Sequence, residues 1–380
     1  MKKLILLLGV ITMVGAFHAI AMADVSLYGS ARFRSYYASV DYGIPGADKD
    51  KDLEWRMGLL SRFGATFKSE KITGMFELDA RAGQGGQTDD IERGDGASKV
   101  GAMRLRHLWG QWDFGAGKLM VGHNFPLYDA PVSGINYYSG GLQKFGGMGY
   151  RWGPRTSQIR LTFGDFRLAF LPTVTIEQWF GPLSTFEESN IRYPKIEARY
   201  DIRKDAFALN FIGGWQTYEV EDRLPPTASK ATKDITSWVL GARCKANFGP
   251  AYINLGLTWR QNGTNYDAWT VSTKETAVLQ GNDVKDATAW GVVAALGWKI
   301  NDMWTLEASH GNLNSKQDTS LDNEDDAMIW CLQAKITMAP NVYIFPELIY
   351  QDNKDVINNG VVTDQGDATI LGVYWRIDFN

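Results

Sequence analysis

Residues 290–300 read Trp290-Gly291-Val292-Val293-Ala294-Ala295-Leu296-Gly297-Trp298-Lys299-Ile300. Taken alternately, Trp290, Val292, Ala294, Leu296, Trp298 and Ile300 make one wholly apolar face, and Gly291, Val293, Ala295, Gly297 and Lys299 make the other. A period of two is the side-chain geometry of a β-strand. A tryptophan near each end of the apolar face matches the interfacial anchors of a strand that crosses a bilayer. The stretch therefore predicts a transmembrane strand, with Leu296 near mid-membrane and Ala295 facing water.

The same alternation begins at Val25, where Val25, Leu27, Ala31 and Phe33 share one face and Ser26, Ser30, Arg32 and Arg34 the other. It recurs in pairs of segments joined by short turns at Ser69-Glu70-Lys71, Phe114-Gly115-Ala116-Gly117, Gly164-Asp165, Arg203-Lys204, Gly249-Pro250, Asn301-Asp302 and Ala339-Pro340-Asn341. These residues suit tight hairpin connections. Seven hairpins plus the first and last segments give about 16 strands. Longer polar connections lie near 40–52, 84–99, 125–154, 174–190, 221–234, 263–286, 315–326 and 352–366. Short turns on one rim and long loops on the other are the asymmetry of an outer-membrane barrel. The fold class is thus all-β, a transmembrane antiparallel β-barrel of about 16 strands. A soluble β-sandwich also alternates, but it rarely needs so many long paired strands.

Composition agrees. With 44% hydrophobic and 22% charged residues, the chain has no long apolar run beyond its first stretch, which excludes a helical membrane protein. Its 40 Gly, 16 Tyr, 14 Trp and 18 Phe suit a barrel with aromatic girdles. A net charge of −4 argues against a nucleic-acid partner. Lys2 and Lys3, the apolar run from Leu4 to Ala16 and then Ala21-Met22-Ala23 compose a secretory signal with cleavage expected after Ala23. Residues 1–23 are therefore read as a signal peptide and 24–380 as the barrel. Cys244 falls on the outward phase and Cys331 on the inward one, so no disulfide between them is expected.

Four motifs then occur in order: Val25-Ser26-Leu27-Tyr28-Gly29, Ser61-Arg62-Phe63-Gly64, Met103-Arg104-Leu105 and Phe145-Gly146-Gly147. They resemble the V-x-L-Y-G, S/A-R-L-G, T/N-R-L-A and P-E-F-G-G elements of the Gram-negative trimeric general porins, and the hairpin pattern extends the resemblance over nearly the whole mature chain. The resemblance implies a water-filled pore for passive diffusion, a homotrimer, and a third loop folded inward to face a ladder of arginines. Position by position, Arg62 and Arg104 match ladder arginines, with Arg155 a third. The loop carries Tyr137, Tyr138, Phe145, Gly146 and Gly147. Phe379, pointing outward at the end of the last strand, resembles the family's assembly signal, although Asn380 follows it. The chain also departs from the family pattern. Lys144 stands where the family has glutamate, and Gly140 lies near the place of its loop aspartate.

That departure predicts a mostly positive constriction built from Arg32, Arg34, Arg62, Arg104, Arg106, Lys144 and Arg155. By the alternation, about 17 Lys and Arg face the lumen against about eight acids such as Glu77, Asp79, Glu197, Glu307 and Glu347. The partners implied are small hydrophilic solutes, anions in preference, and outer-membrane lipid. Gly29, Gly74 and Gln111, all on the outward phase, suit contact between subunits. A substrate-specific channel for a sugar or organic acid is the rival reading, with Tyr137, Tyr138, Trp152 and Trp55 as a stacking surface. Acidic runs at Asp89, Asp90, Glu92 and Asp95, and at Asp322, Glu324, Asp325 and Asp326, lack the spacing of a calcium loop, so no metal and no cofactor is expected. His107, His123 and His310 lie in no recognised catalytic sequence, and His107 and His310 fall on the outward phase, so no enzyme is expected.

Overall fold

A computed structural model describes residues 24–58, 60–80, 103–128, 132–136, 149, 153–175, 186–222, 232–268, 270–280 and 283–379. All regular structure among these residues is β-strand. Sixteen strands form one closed antiparallel barrel. They are β1 (Asp24–Val40), β2 in two pieces (Asp50–Met57 and Arg62–Lys68), β3 (Ile72–Ala80), β4 (Met103–Asp113), β5 (Lys118–Asn124) and β6 (Thr156–Phe163). Next come β7 (Phe166–Leu171), β8 in two pieces (Phe186–Asn190 and Lys195–Arg203), β9 (Phe207–Asp222), β10 (Thr232–Phe248) and β11 (Ala251–Gln261). Last are β12 (Ala287–Lys299), β13 (Trp304–Gln317), β14 (Glu324–Ala339), β15 (Val342–Asp352) and β16 (Asp367–Phe379).

Each strand pairs with its chain neighbour, and β16 returns onto β1 with Phe379 opposite Gly29 and Ala368 opposite Val40. Closure removes the free edge that lipid has no means of hydrogen-bonding. The seven short turns fall on one rim where the sequence puts them. Two small hairpins, Val278–Gln280 with Asp283–Lys285 and Asp355–Asn358 with Val361–Asp364, sit in long connections on the other rim.

The register of β12 is the one read from its alternation: Trp290, Leu296 and Trp298 are exposed on the outside while Val293 and Ala295 are buried inside. Ala295, however, is not wet. Its cross-strand neighbours Asn254 and Ser309 are both bonded to the third loop, through Val132 and Ser133, so the loop roofs it. Cys244 and Cys331 are free thiols, and Cys331 is buried on the inner wall.

β4 breaks the alternation. Glu77 pairs with His107 and Leu78 with Leu105, so Arg106 is an extra residue, a β-bulge. Arg106 and His107 consequently both turn inward and are buried, whereas Leu108 and Trp112 are exposed outside. Beyond the bulge the phase is reversed. Gln111, paired with Thr73, therefore faces in, correcting the outward placement of both His107 and Gln111. Arginine at Leu108 is expected to cost ~2–4 kcal/mol of barrel stability, and arginine at Gln111 far less. Equal shifts of the two urea unfolding midpoints would contradict the bulge.

The inner wall of β12–β16 and β1 is unexpectedly apolar. Val293, Ile329, Cys331, Ile349, Ile370 and Tyr36 form a cluster inside the barrel, covered by Val132 and Ile135 of the third loop. Burying aliphatic side chains of this size stabilises by about 1.5–3 kcal/mol each, and that drives the loop onto this wall. The lumen is thus filled along this wall.

Candidate functional site

The third loop leaves β5 through a root fastened to the wall. Gln158 Nε2 donates to the carbonyls of Asn124 and Phe125 at 3.0 Å, Arg160 Nη2 to Phe125 O at 2.6 Å, and Leu127 N to Glu197 Oε2 at 2.6 Å. At the wall of β13–β15, Ser133 Oγ donates to Glu307 Oε1 at 2.7 Å, Asn136 N donates to Glu347 Oε1 at 2.6 Å, and Gln333 Nε2 donates to Gly134 O at 2.8 Å. Tyr36 OH donates to the other oxygen of Glu347 at 2.7 Å. Gly149, further along the loop, has φ +86° and lies against Gly291, where a β-carbon on either residue would meet backbone. Among the described residues the inward fold implied by the family resemblance is therefore present.

A second loop also turns inward, which sequence reading missed by treating 263–286 as an outer connection. Tyr266 is buried, with its OH donating to Glu197 Oε1 at 3.0 Å, and Tyr128 OH of the third loop donates to Asp267 O at 2.8 Å. Burial pushes the Asp267 carboxyl up to about 7, with Glu197 adding to the rise and Lys195, 3.9 Å away, opposing it.

Facing the open water is the wall of β2–β4. Arg62, Arg104 and Arg106 surround Glu77 and Asp79 of β3. Arg62 Nε lies 3.4 Å from Glu77, Arg104 Nε donates to Asp79 Oδ2 at 3.1 Å, and Arg106 bonds Glu77 and lies 3.6 Å from Asp79. The two acids are 2% and 0% exposed, while the Arg104 and Arg62 side chains are 48% and 28% exposed. Positive charge fronts the water and negative charge lies behind it. Arg155 joins through His107: its Nε donates to His107 Nε2 at 3.2 Å, and its guanidinium stacks 4.1 Å from the Phe125 ring. The bulge at Arg106 brings His107 into this group.

Arg32 and Arg34 face inward but are buried elsewhere, on β1. Arg32 bonds Ser30 at 2.8 Å beside Tyr374, and Arg34 pairs with Glu54 at 2.9 Å. Tyr137, Tyr138, Lys144, Phe145, Gly146, Gly147 and Trp152 lie outside the described residues, as do residues 1–23. Trp55 is exposed on the outward phase, packed edge-on to Phe33, and so is no part of a lumen stacking surface.

A family model described as Gram-negative porin matches residues 10–356. The chain belongs to the Gram-negative porin family. Its place is the outer membrane, and its barrel is a diffusion pore. Solved structures agree in fold. The outer-membrane channel DcaP of Acinetobacter baumannii matches with a TM-score of 0.69 at 14% identity, covering 94% of this porin and 98% of that chain. OmpT of Vibrio cholerae, solved in a trimer form, matches at 0.58 and 16%, covering 94% and 99%. An anion-selective porin from Comamonas acidovorans matches at 0.56 and 14%, covering 94% and 100%. No curated protein is similar to this porin at a significant level.

Among the described residues no cluster of His, Cys, Asp and Glu is arranged to hold a metal. The acids after β13 are dispersed. Asp325 accepts from Thr273 at 2.6 Å and 2.8 Å, Asp326 from Asn314 at 2.7 Å, and Lys316 bridges Asp322 and Glu324. Phe379 sits on the outer face with its ring over Gly29, where a side chain would displace it.

Proposed function

We propose that this porin passes small hydrophilic solutes and prefers anions, as a channel without catalytic activity. The observation that carries the preference is the layering at β2–β4, where buried Glu77 and Asp79 lie beneath the water-facing guanidinium groups of Arg62 and Arg104. Glu347 of β15 is covered by the third loop, which removes that acid from the water path. Lys144 would add to the same field. The porin of like fold from Comamonas acidovorans is anion-selective, which supports the reading. Small anions concentrate near exposed cations in a narrow pore. Changing Arg104 to glutamate is expected to move the reversal potential toward cations, while Lys71→Glu, at an exposed short turn, leaves it nearly unchanged. Equal shifts would overturn the role of Arg104.

The first 23 residues serve as the export signal in this proposal, Phe379 as the assembly signal, and the pore is a homotrimer. OmpT's trimer form supports the last point. So does Gly74 paired with Gly110 on the outer face, where Gly110 leaves open space for close approach of a second surface. Light scattering in mild detergent, corrected for bound detergent, is expected to give three chains per particle. A monomer would contradict it.

A further inference from the structure

Beneath the arm of the third loop, toward the short-turn rim, the inner wall holds a cavity of about 180 Å³. Gly134 and Asn136 of the arm border it on one side, and Phe345 on the wall supplies an apolar surface. It is lined by charged groups of both signs. The ammonium of Lys335 and the guanidinium of Arg376 converge on the ring of Tyr343, 4.7 Å and 4.6 Å from its centroid. Aromatic faces hold cations in place without neutralising them. Arg376 is also bonded to Asp378 at 2.8 Å, but among the described residues no carboxylate lies within ion-pair distance of Lys335.

Glu307 of β13 also lines it, two residues along the strand from Thr305, which pairs with Lys335. Its Oε1 accepts from Gly134 N and from Ser133 and Ser309 at 2.7 Å and 2.9 Å, whereas among the described residues Oε2 accepts only from Tyr252 OH, at 2.6 Å. A carboxylate oxygen has room for a second donor. Lys335 and Arg376 are balanced by Asp378 and Glu307, so the surroundings are neutral in sum yet carry both signs. A simple anion would meet Glu307 and a simple cation would meet Lys335. A solute bearing both charges satisfies both.

We propose that this cavity binds a small zwitterion, an α-amino acid with a short side chain, its carboxylate on Lys335 and Arg376 and its ammonium on Glu307. The site is separate from the β2–β4 constriction and does not depend on anion preference there. It gives the pore a saturable station for one solute class on an otherwise passive path.

The test is the conductance of the full chain in planar bilayers at fixed salt, with L-alanine as the probe and propionate and propylamine as its singly charged counterparts. L-Alanine is expected to reduce the ionic current saturably, with propionate and propylamine at least roughly tenfold weaker. A charge-assisted contact is worth roughly one to two powers of ten in affinity, so Lys335→Met is expected to raise the half-saturating concentration roughly tenfold or more. Lys335→Arg, which keeps the charge, is expected to restore block. Lys245→Met, an inward lysine outside the cavity, is expected to leave it unchanged. Absence of saturable block, block by propionate as strong as by L-alanine, or a Lys335→Met half-saturation equal to that of Lys245→Met would each overturn the assignment.

Discussion

Replacing Glu347 with leucine is expected to release the arm of the third loop and raise the single-channel conductance. The Glu347 carboxyl group is 1% exposed and accepts from Tyr36 OH, Asn136 N and Nδ2, and Gln333 Nε2. Tyr36, Asn136 and Gln333 are themselves buried. A buried donor left unpaired costs about 1–3 kcal/mol, and three residues lose this shared acceptor together. The apolar contacts of Val132 and Ile135 oppose release but do not satisfy the amides. Glu347→Gln keeps an acceptor and is expected to lie between wild type and leucine. Conductance recording with urea unfolding checks both quantities. A leucine variant with unchanged conductance would show that the loop is held by other contacts.

Arginine at Leu296 is expected to destabilise the barrel by ~2–4 kcal/mol. Leu296 is exposed on the outer face of β12, between Trp290 and Trp298, where the bilayer offers no water to a guanidinium. Arginine at Thr66, half-exposed on the inward phase of β2 between Ser26 and Met75, should cost much less. Ala295 is unsuitable as the inward comparison because the third loop roofs it. Unfolding midpoints in urea report the difference, and a mild Leu296→Arg with a severe Thr66→Arg would invert the two faces.

Most of the barrel was legible because period-two alternation and turn chemistry are local. The hairpins at Gly164-Asp165 and Gly249-Pro250 and the girdle residues Trp290 and Trp298 needed nothing from distant parts of the chain. The bulge at Arg106 was hidden because one extra residue inverts everything after it. Its only local trace is the polar pair Arg106-His107 followed by Leu108. The dry inner wall left a fainter signal. In Ala327-Met328-Ile329-Trp330-Cys331-Leu332 both faces are apolar, so alternation marks no wet side.

At the site, the arginines were legible as inward positions, but the pairing that buries Glu77 and Asp79 beneath Arg62 and Arg104 was not. It depends on three strands meeting in one register. The inward course of Tyr266 and Asp267 depends likewise on Glu197 and Tyr128, far away in sequence. Separating Arg32 and Arg34 from the water-facing group also required knowing that Glu54 and Tyr374 meet them inside.

The most direct measurement is the reversal potential of wild-type pores in a gradient of dilute salt, repeated at high salt. Anion preference is expected, strongest in dilute electrolyte and weaker as the Debye length falls from ~10 Å at 0.1 M to ~3 Å at 1 M. A reversal potential on the cation side in dilute salt would contradict the layered charge at Arg62 and Arg104 as the source of selectivity.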